Sequence, residues 1–305
     1  GIKTIRIYDI SIDNQEDVQR IKDIFRKVYE KYGIRVLIGN WAGLYSNMDL
    51  KDTRARVRAI VKVQVNAMKL IDTYSHEPWI LGWQVGNENN YYVEGGIFSQ
   101  KNNLNLSLSE YYRFMDEVAG AMRDILGFYR QRQIIILGNG DLTSEEATYI
   151  SQMRNIDALG INFYGDENRL IELLKLVEEK IDKGVFITEM GFPATREAEQ
   201  VAQVEYLIKI ALASYDNAAG RIGKDNVLMA FIHEATDQEW KAVDTGIPHE
   251  AHFGVLGKLS EKEIQKLFFQ IERKNQMIPK TSSSVDLTLA AWSFLEIKDY
   301  QSTLA

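Results

Sequence analysis

Two glutamates hold the most chemically suggestive positions in this chain. Glu88 follows the apolar run Trp79-Ile80-Leu81-Gly82-Trp83 by way of Gln84-Val85-Gly86-Asn87, and an Asn-rich stretch comes after it. Glu189 closes a second apolar run, Val185-Phe186-Ile187-Thr188, about a hundred residues later. A carboxyl group at a strand end, beside an amide side chain, suits a general acid, and a second carboxylate suits a nucleophile. Two such groups about 5–5.5 Å apart cleave a glycosidic bond through a covalent intermediate: one protonates the leaving oxygen and later activates water, the other attacks the anomeric carbon. Asn87 would then bond the sugar 2-hydroxyl, a contact that strengthens in the transition state. Either glutamate alone also reads as a first-turn helix charge favoured by the helix dipole. The pairing of two such strand ends is what favours chemistry.

The elements that must hold them alternate. Strand-sized apolar runs occur at Ile2–Tyr8, Arg35–Asn40, Trp79–Val85, Gln133–Leu137, Asp157–Phe163, Val185–Thr188 and Val227–Ile232. Helical patterns fill Asp17–Tyr32, Lys51–Tyr74, Ser109–Arg130, Ser144–Met153, Glu167–Lys183 and Arg196–Ala213. In the second helix Val57, Ile60, Val61, Met68 and Ile71 recur at helical spacing and predict one buried face. Short, nearly all-apolar strands are those of a parallel sheet covered on both sides. So many strand–helix units predict an α/β chain folded as a (β/α)8 TIM barrel, with chemistry at the C-terminal strand ends. Farther on, Ser260-x-x-Glu263 opens an amphipathic helix to about Lys274, and Pro279 with Thr281-Ser282-Ser283-Ser284 reads as a connector. The expected division is a barrel over residues 1–275 and a connector and tail over 276–305, packing on the barrel or completing it.

Bulk composition excludes several classes. With 305 residues, 45% hydrophobic and 26% charged, the chain is an ordinary globular one with ample core. A net charge of -7 and a pI near 5.3 give no electrostatic case for nucleic acid. No cysteine is present, which removes disulfides, thiol catalysis and cysteine metal sites. No apolar stretch reaches the roughly 20 residues of a membrane span. Gly1 leads directly into a strand-like run, with no signal peptide in view. His249-Glu250-Ala251-His252 spaces its histidines three apart rather than the four of a zinc-protease helix, so no metal is expected there. Gly138-Asn139-Gly140-Asp141 lacks the rest of a phosphate loop and reads as a strand-end turn.

The segments Thr4-Ile5-Arg6-Ile7-Tyr8-Asp9, Gly86-Asn87-Glu88, Gly160-Ile161-Asn162-Phe163-Tyr164 and Ile187-Thr188-Glu189-Met190-Gly191-Phe192-Pro193 resemble, in order and spacing, clan A of the glycoside hydrolases. These are retaining (β/α)8 enzymes with Asn-Glu after strand four and Glu after strand seven. The first and last segments are similar to the β-1,3-glucan enzymes of families 17 and 72, and the Trp79–Glu88 run equally to families 2 and 5. Phe231-Ile232-His233-Glu234-Ala235-Thr236-Asp237-Gln238-Glu239-Trp240-Lys241 resembles a family 17 segment at Glu234, Ala235, Asp237, Trp240 and Lys241, departing from it at Thr236 and Gln238. Counted in the clan's frame, Ile2–Tyr8 is the second strand. The first is then missing from the front, unless the tail around Val285–Trp292 supplies it.

The resemblance implies a carbohydrate substrate, a β-linked glucan-like poly- or oligosaccharide, cleaved or transferred with Glu88 as acid/base and Glu189 as nucleophile. It implies no cofactor and points to an extracytoplasmic or secreted setting. It also implies that Arg6 sits beneath Glu189 and pairs with it, and that Tyr164 donates to Glu189. Their alternatives are ordinary ones, a bridge between barrel carboxylates for Arg6 and a strand-end aromatic for Tyr164. Tyr8, Trp41 and Trp240 are candidates for stacking on sugar faces. Trp79 and Trp292 are assigned to the core, while the side faced by Trp83 stays open. Glu234 and Asp237 read either as partners of sugar hydroxyls or as exposed loop charges. Thr236 and the absent first strand keep a second class open, a carbohydrate-binding or scaffolding barrel without turnover inside a larger envelope protein.

Overall fold

All seven predicted strands form. The computed structural model describes residues 4–40, 49–96, 104–218, 227–234 and 237–254. Strands β1 (Thr4–Ile7), β2 (Arg35–Asn40), β3 (Ile80–Val85), β4 (Ile134–Asn139), β5 (Ala158–Phe163), β6 (Gly184–Met190) and β7 (Val227–Ile232) belong to one sheet in chain order. Between successive strands run α1 (Gln15–Tyr32), α2 (Thr53–Tyr74), α3 (Leu108–Phe128), α4 (Ser144–Ile150), α5 (Glu167–Lys180) and α6 (Glu197–Ala218). A strand order that never reverses is singly wound, as in a β/α barrel, and differs from the doubly wound sheets in which order turns back. A short seventh helix, α7 (Glu239–Thr245), which the periodicity did not single out, follows β7.

The chain packs as two compact units, one of Lys3–Asn162 with Glu179–Val185, the other of Gly1–Ile2, Phe163–Glu178 and Phe186–Ala305. In the first, β1 to β5 pair in parallel, with a register shift between Val36 and Leu37 where β2 meets β3. Val36, Leu37, Ile38, Ile135, Ile136, Leu137, Leu159 and Ile161 have no exposed surface, as strands covered on both faces require. Helix starts carry their own instructions. Ser107 with Glu110 opens α3, and Thr143 with Glu146 opens α4, each as a capping box that satisfies otherwise orphaned amides. At its C-terminus α1 stops on Gly33 at φ 69°, a left-handed cap. In the second unit β7 continues from β6 through the His233 amide, which donates to the Met190 carbonyl at 2.8 Å.

One expectation is corrected in α2. Its buried face is Ala55, Ala59, Val63, Ala67, Leu70, Ile71 and Tyr74, whereas Val57, Val61 and Met68 are 54%, 48% and 53% exposed. Of the predicted stripe only Ile71 is buried. Counting side-chain size selected the valines, yet a helix lying close against its neighbours needs small residues at the contact, and the alanines supply them. Both Trp79 and Trp83 are buried, and the Trp83 indole donates to Gln133 at 2.9 Å. Among the described residues no helix is long and apolar enough to cross a membrane. The expected helix at 260–274, the connector, the tail segment Val285–Trp292 and all of 276–305 lie outside the described residues.

Candidate active site

Just past β3 the backbone turns sharply. Gly86 takes φ 71°, and a side chain there would press on Asn89 and Met115 within 2.6 and 2.7 Å. Glu88 itself is left-handed at φ 55°, a conformation uncommon for a residue with a Cβ. Its amide donates to the Gly138 carbonyl at 3.2 Å, and Asn87's amide to the Asn89 side chain at 2.9 Å. The turn Asn89–Tyr92 that follows is tied to the end of β4: Asn90 accepts from the Gly140 amide at 3.0 Å and donates to Glu146 at 2.9 Å. Glu146, 4% exposed, also accepts from Tyr112 at 3.1 Å, so a buried carboxylate braces the loop that carries Glu88. Tyr91 accepts from the Asp141 amide at 2.8 Å. Burial pushes its phenol up to about 12, against that bond's pull, with the Glu88, Asp141 and Glu146 charges adding to the rise. Gly138–Asp141 is thus the expected strand-end turn, and it supports the Glu88 loop.

Around Glu88, amide and guanidinium side chains are linked by hydrogen bonds. Asn162, at the end of β5, donates to Glu88 Oε1 at 3.0 Å and to Asn87 Oδ1 at 3.1 Å. Arg6 donates to Gln84 at 2.7 Å and to Asn87 at 2.6 Å, with its guanidinium over the Tyr8 ring at 4.6 Å. Gln84 in turn donates to the Gly86 carbonyl at 2.8 Å. Asn87 and Glu88 are half-buried and Tyr8 is 38% exposed. Sequence reasoning passed over Gln84 and Asn162 as site residues. The available signal was an amide side chain set into an otherwise apolar strand.

Glu189 has different surroundings. It is the penultimate residue of β6 and is 4% exposed. The Tyr164 hydroxyl donates to its Oε2. His233 Nδ1 lies 3.5 Å from the same oxygen. Tyr164 and Phe253 pack edge-on against the His233 ring, with centroids at 6.1 and 5.4 Å. Lys241, on α7, reaches His233 Nε2 at 3.3 Å and donates to Glu234 Oε2 at 2.7 Å. Glu234 is 8% exposed, which corrects its reading as an exposed loop charge. Burial raises its carboxyl above the ordinary value; Lys241 opposes this, and the Glu189 and Asp237 charges reinforce it. Asp237 is also taken up by the protein, accepting from the Gly254 amide at 2.9 Å and lying 3.4 Å from His252.

Of the expected stacking residues, Trp41 lies outside the described residues. Trp240 belongs to α7, but its side chain is outside them too. His249 and His252 sit on the turn Pro248–His252, and the His252 carbonyl accepts from the Ala194 amide at 2.9 Å. Among the described residues no group of three or more His, Asp or Glu could hold a metal ion. The groups gathered at the two glutamates are amides, a phenol and an imidazole.

No protein-family model and no curated protein sequence matches the chain. Solved structures do. A GH5_18 protein from Streptomyces cattleya, determined in complex with GlcNAc, superposes with a TM-score of 0.65 at 13% identity, covering 95% of this chain and 78% of that one. A GH1 β-glucosidase from Exiguobacterium antarcticum B7 gives 0.62 at 13% identity, covering 92% and 85%. A β-glucuronidase from Bacteroides uniformis gives 0.51 at 14% identity over 77% of this chain but only 26% of that one, so the chain spans about a quarter of its length. At such identities the likeness is one of fold, the TIM-barrel architecture of glycoside hydrolases.

Proposed function

We propose that the protein is a retaining β-glycoside hydrolase or transglycosylase acting on a β-linked, glucan-like poly- or oligosaccharide. Glu189 attacks the anomeric carbon as its bond to the leaving oxygen breaks, and Glu88 delivers a proton to that oxygen. The glycosyl ester on Glu189 is then released when Glu88, now a carboxylate, takes a proton from the incoming water or sugar hydroxyl. Retention requires the two carboxyl groups about 5–5.5 Å apart. Asn87 bonds the 2-hydroxyl, with Arg6 and Asn162 holding its amide. Tyr8, Trp41 and Trp240 supply aromatic faces to the sugar. The family 17 resemblance of Glu234, Asp237 and Lys241 supports a β-glucan as substrate.

The observation that carries this proposal is the environment of Glu189. It is a buried strand-end carboxylate whose Oε2 receives the Tyr164 hydroxyl and faces His233. Donors to the ionised form keep a nucleophile charged at little exposure. The fold likeness to glycoside hydrolases adds independent support. A panel of 2-deoxy-2-fluoroglycosides read by intact mass, followed by peptide mapping, tests the assignment. The expected result is one covalent sugar on Glu189. Turnover of β-glycosides with no trapped adduct, a label on another residue, or no turnover across the panel would overturn it.

A further inference from the structure

His233 is a buried imidazole that the double displacement does not use. It ends the β7 run, is 8% exposed, and has its backbone amide fixed on the Met190 carbonyl at 2.8 Å. Its two ring nitrogens face unlike partners. Nδ1 is 3.5 Å from Glu189 Oε2, and Nε2 is 3.3 Å from the Lys241 ammonium. That ammonium is anchored by its bond to Glu234 Oε2 at 2.7 Å. An ammonium has protons to donate and no lone pair to accept with, so Nε2 can bond it only as the bare, accepting nitrogen. A neutral ring that accepts at Nε2 carries its proton on Nδ1.

We propose that His233 is a positioning residue for Glu189, locked by Lys241 in the neutral Nδ1–H tautomer, so that its ring presents a donor and no charge to the carboxylate. The role rests on Glu189 being the nucleophile of the proposed reaction. Among the described residues, the charged and titratable groups against the ring include Glu189 from β6, Tyr164 from the segment after β5 and Lys241 from α7, with Glu234, next in the chain, bonded to Lys241. A second ring proton on Nε2 would set two donors of like charge against each other across 3.3 Å. The Tyr164 and Phe253 rings pack on the imidazole, and a ring flip, which would put carbons where the nitrogens now lie, would break both polar contacts. Glu234 acts one step farther out, by fixing Lys241.

Ring-nitrogen NMR reads this directly. The chain has four histidines, so the His233 signals of protein labelled with 15N-histidine can be assigned by their loss in His233→Asn. At a pH of about 7.5 the expected pattern is a protonated, pyrrole-type Nδ1 and a bare, pyridine-type Nε2, and Lys241→Met should shift it toward Nε2–H. A native His233 that is Nε2–H or doubly protonated, or a pattern unchanged by Lys241→Met, overturns the lock. The native spectrum decides the point even if Lys241→Met does not fold. For positioning, the rate of fluoroglycoside trapping on Glu189 should fall about tenfold in His233→Leu and largely recover in His233→Asn, whose amide overlays Nδ1–H. Equal rates in His233→Leu and native protein overturn the role. Absence of any label in native protein would instead defeat the glycosidase assignment, leaving the tautomer to be judged by NMR alone.

Discussion

Glu88 and Glu189 are the same side chain in two different kinds of place. Glu88 is half-buried on a loop, its backbone left-handed at φ 55°, and its carboxyl accepts from the neutral amide of Asn162. Glu189 lies in regular strand, 4% exposed, with a phenol and an imidazole on one oxygen. A group that must both give and take a proton is served by a neutral neighbour that does not pin it to one charge state. One that must remain an anion although buried depends on donors to its charged form. The contrast teaches that local rigidity is supplied in different ways: Glu189 inherits it from the sheet, while Glu88 borrows it from Glu146, Asn90 and the end of β4.

The sharpest way to break this comparison is to remove each carboxylate in turn. Glu189→Ala should lower kcat on the order of 10⁵-fold, in the range of losing a nucleophile elsewhere, for every β-glycoside tried. Glu88→Gln should lower it about 10²–10⁴-fold with poor leaving groups and far less for glycosylation by a dinitrophenyl glycoside, whose leaving group needs no proton. If both variants respond alike to leaving-group acidity in burst kinetics, the two glutamates do not have separate roles.

Finer tests act through neighbours. Tyr164→Phe removes a bond to a charged acceptor, so kcat should fall about 10–100-fold with little change in substrate affinity. A rise in KM alone would show that the phenol serves binding instead. The smallest effect concerns the brace under Glu88. Tyr91's phenol is raised to about 12 by burial, above the ordinary 10. With the folded value raised, the stabilisation it contributes is complete below pH 10 and lost as pH climbs through about 12. Tyr91→Phe should flatten that alkaline loss by about 2 kcal/mol, as measured by denaturant unfolding across the range. An unchanged alkaline profile would mean that this phenol is not held in a buried setting.

Much of this architecture was legible in the chain, and the errors share a cause. β7 was predicted over the residues it occupies, because a run such as Val227-Leu228-Met229-Ala230-Phe231-Ile232 is too apolar and too short for anything but a strand between helices. The face of α2 was misjudged because periodicity ranks Val57 and Val61 above Ala59 and Ala67, while packing distance ranks them the other way. Of the two readings of Glu234, the exposed loop charge fails: a carboxylate after a strand is ordinarily in solvent, but Lys241, seven residues on, makes burial tolerable here. His233 drew no attention, since a lone histidine at a strand end carries no local mark of what its nitrogens will meet.

Local rules acting over a few residues, namely apolar runs, capping boxes at Ser107 and Thr143, and polar residues where strands stop, were enough to place the elements and to set both glutamates at strand ends. What each carboxylate touches was decided elsewhere. Asn162 is 74 positions from Glu88, and Tyr164 is 25 from Glu189. No short-range preference reaches so far along the chain. Those donors meet their acceptors because strand register and parallel pairing bring separate strand ends together in space, and only the folded sheet carries that information.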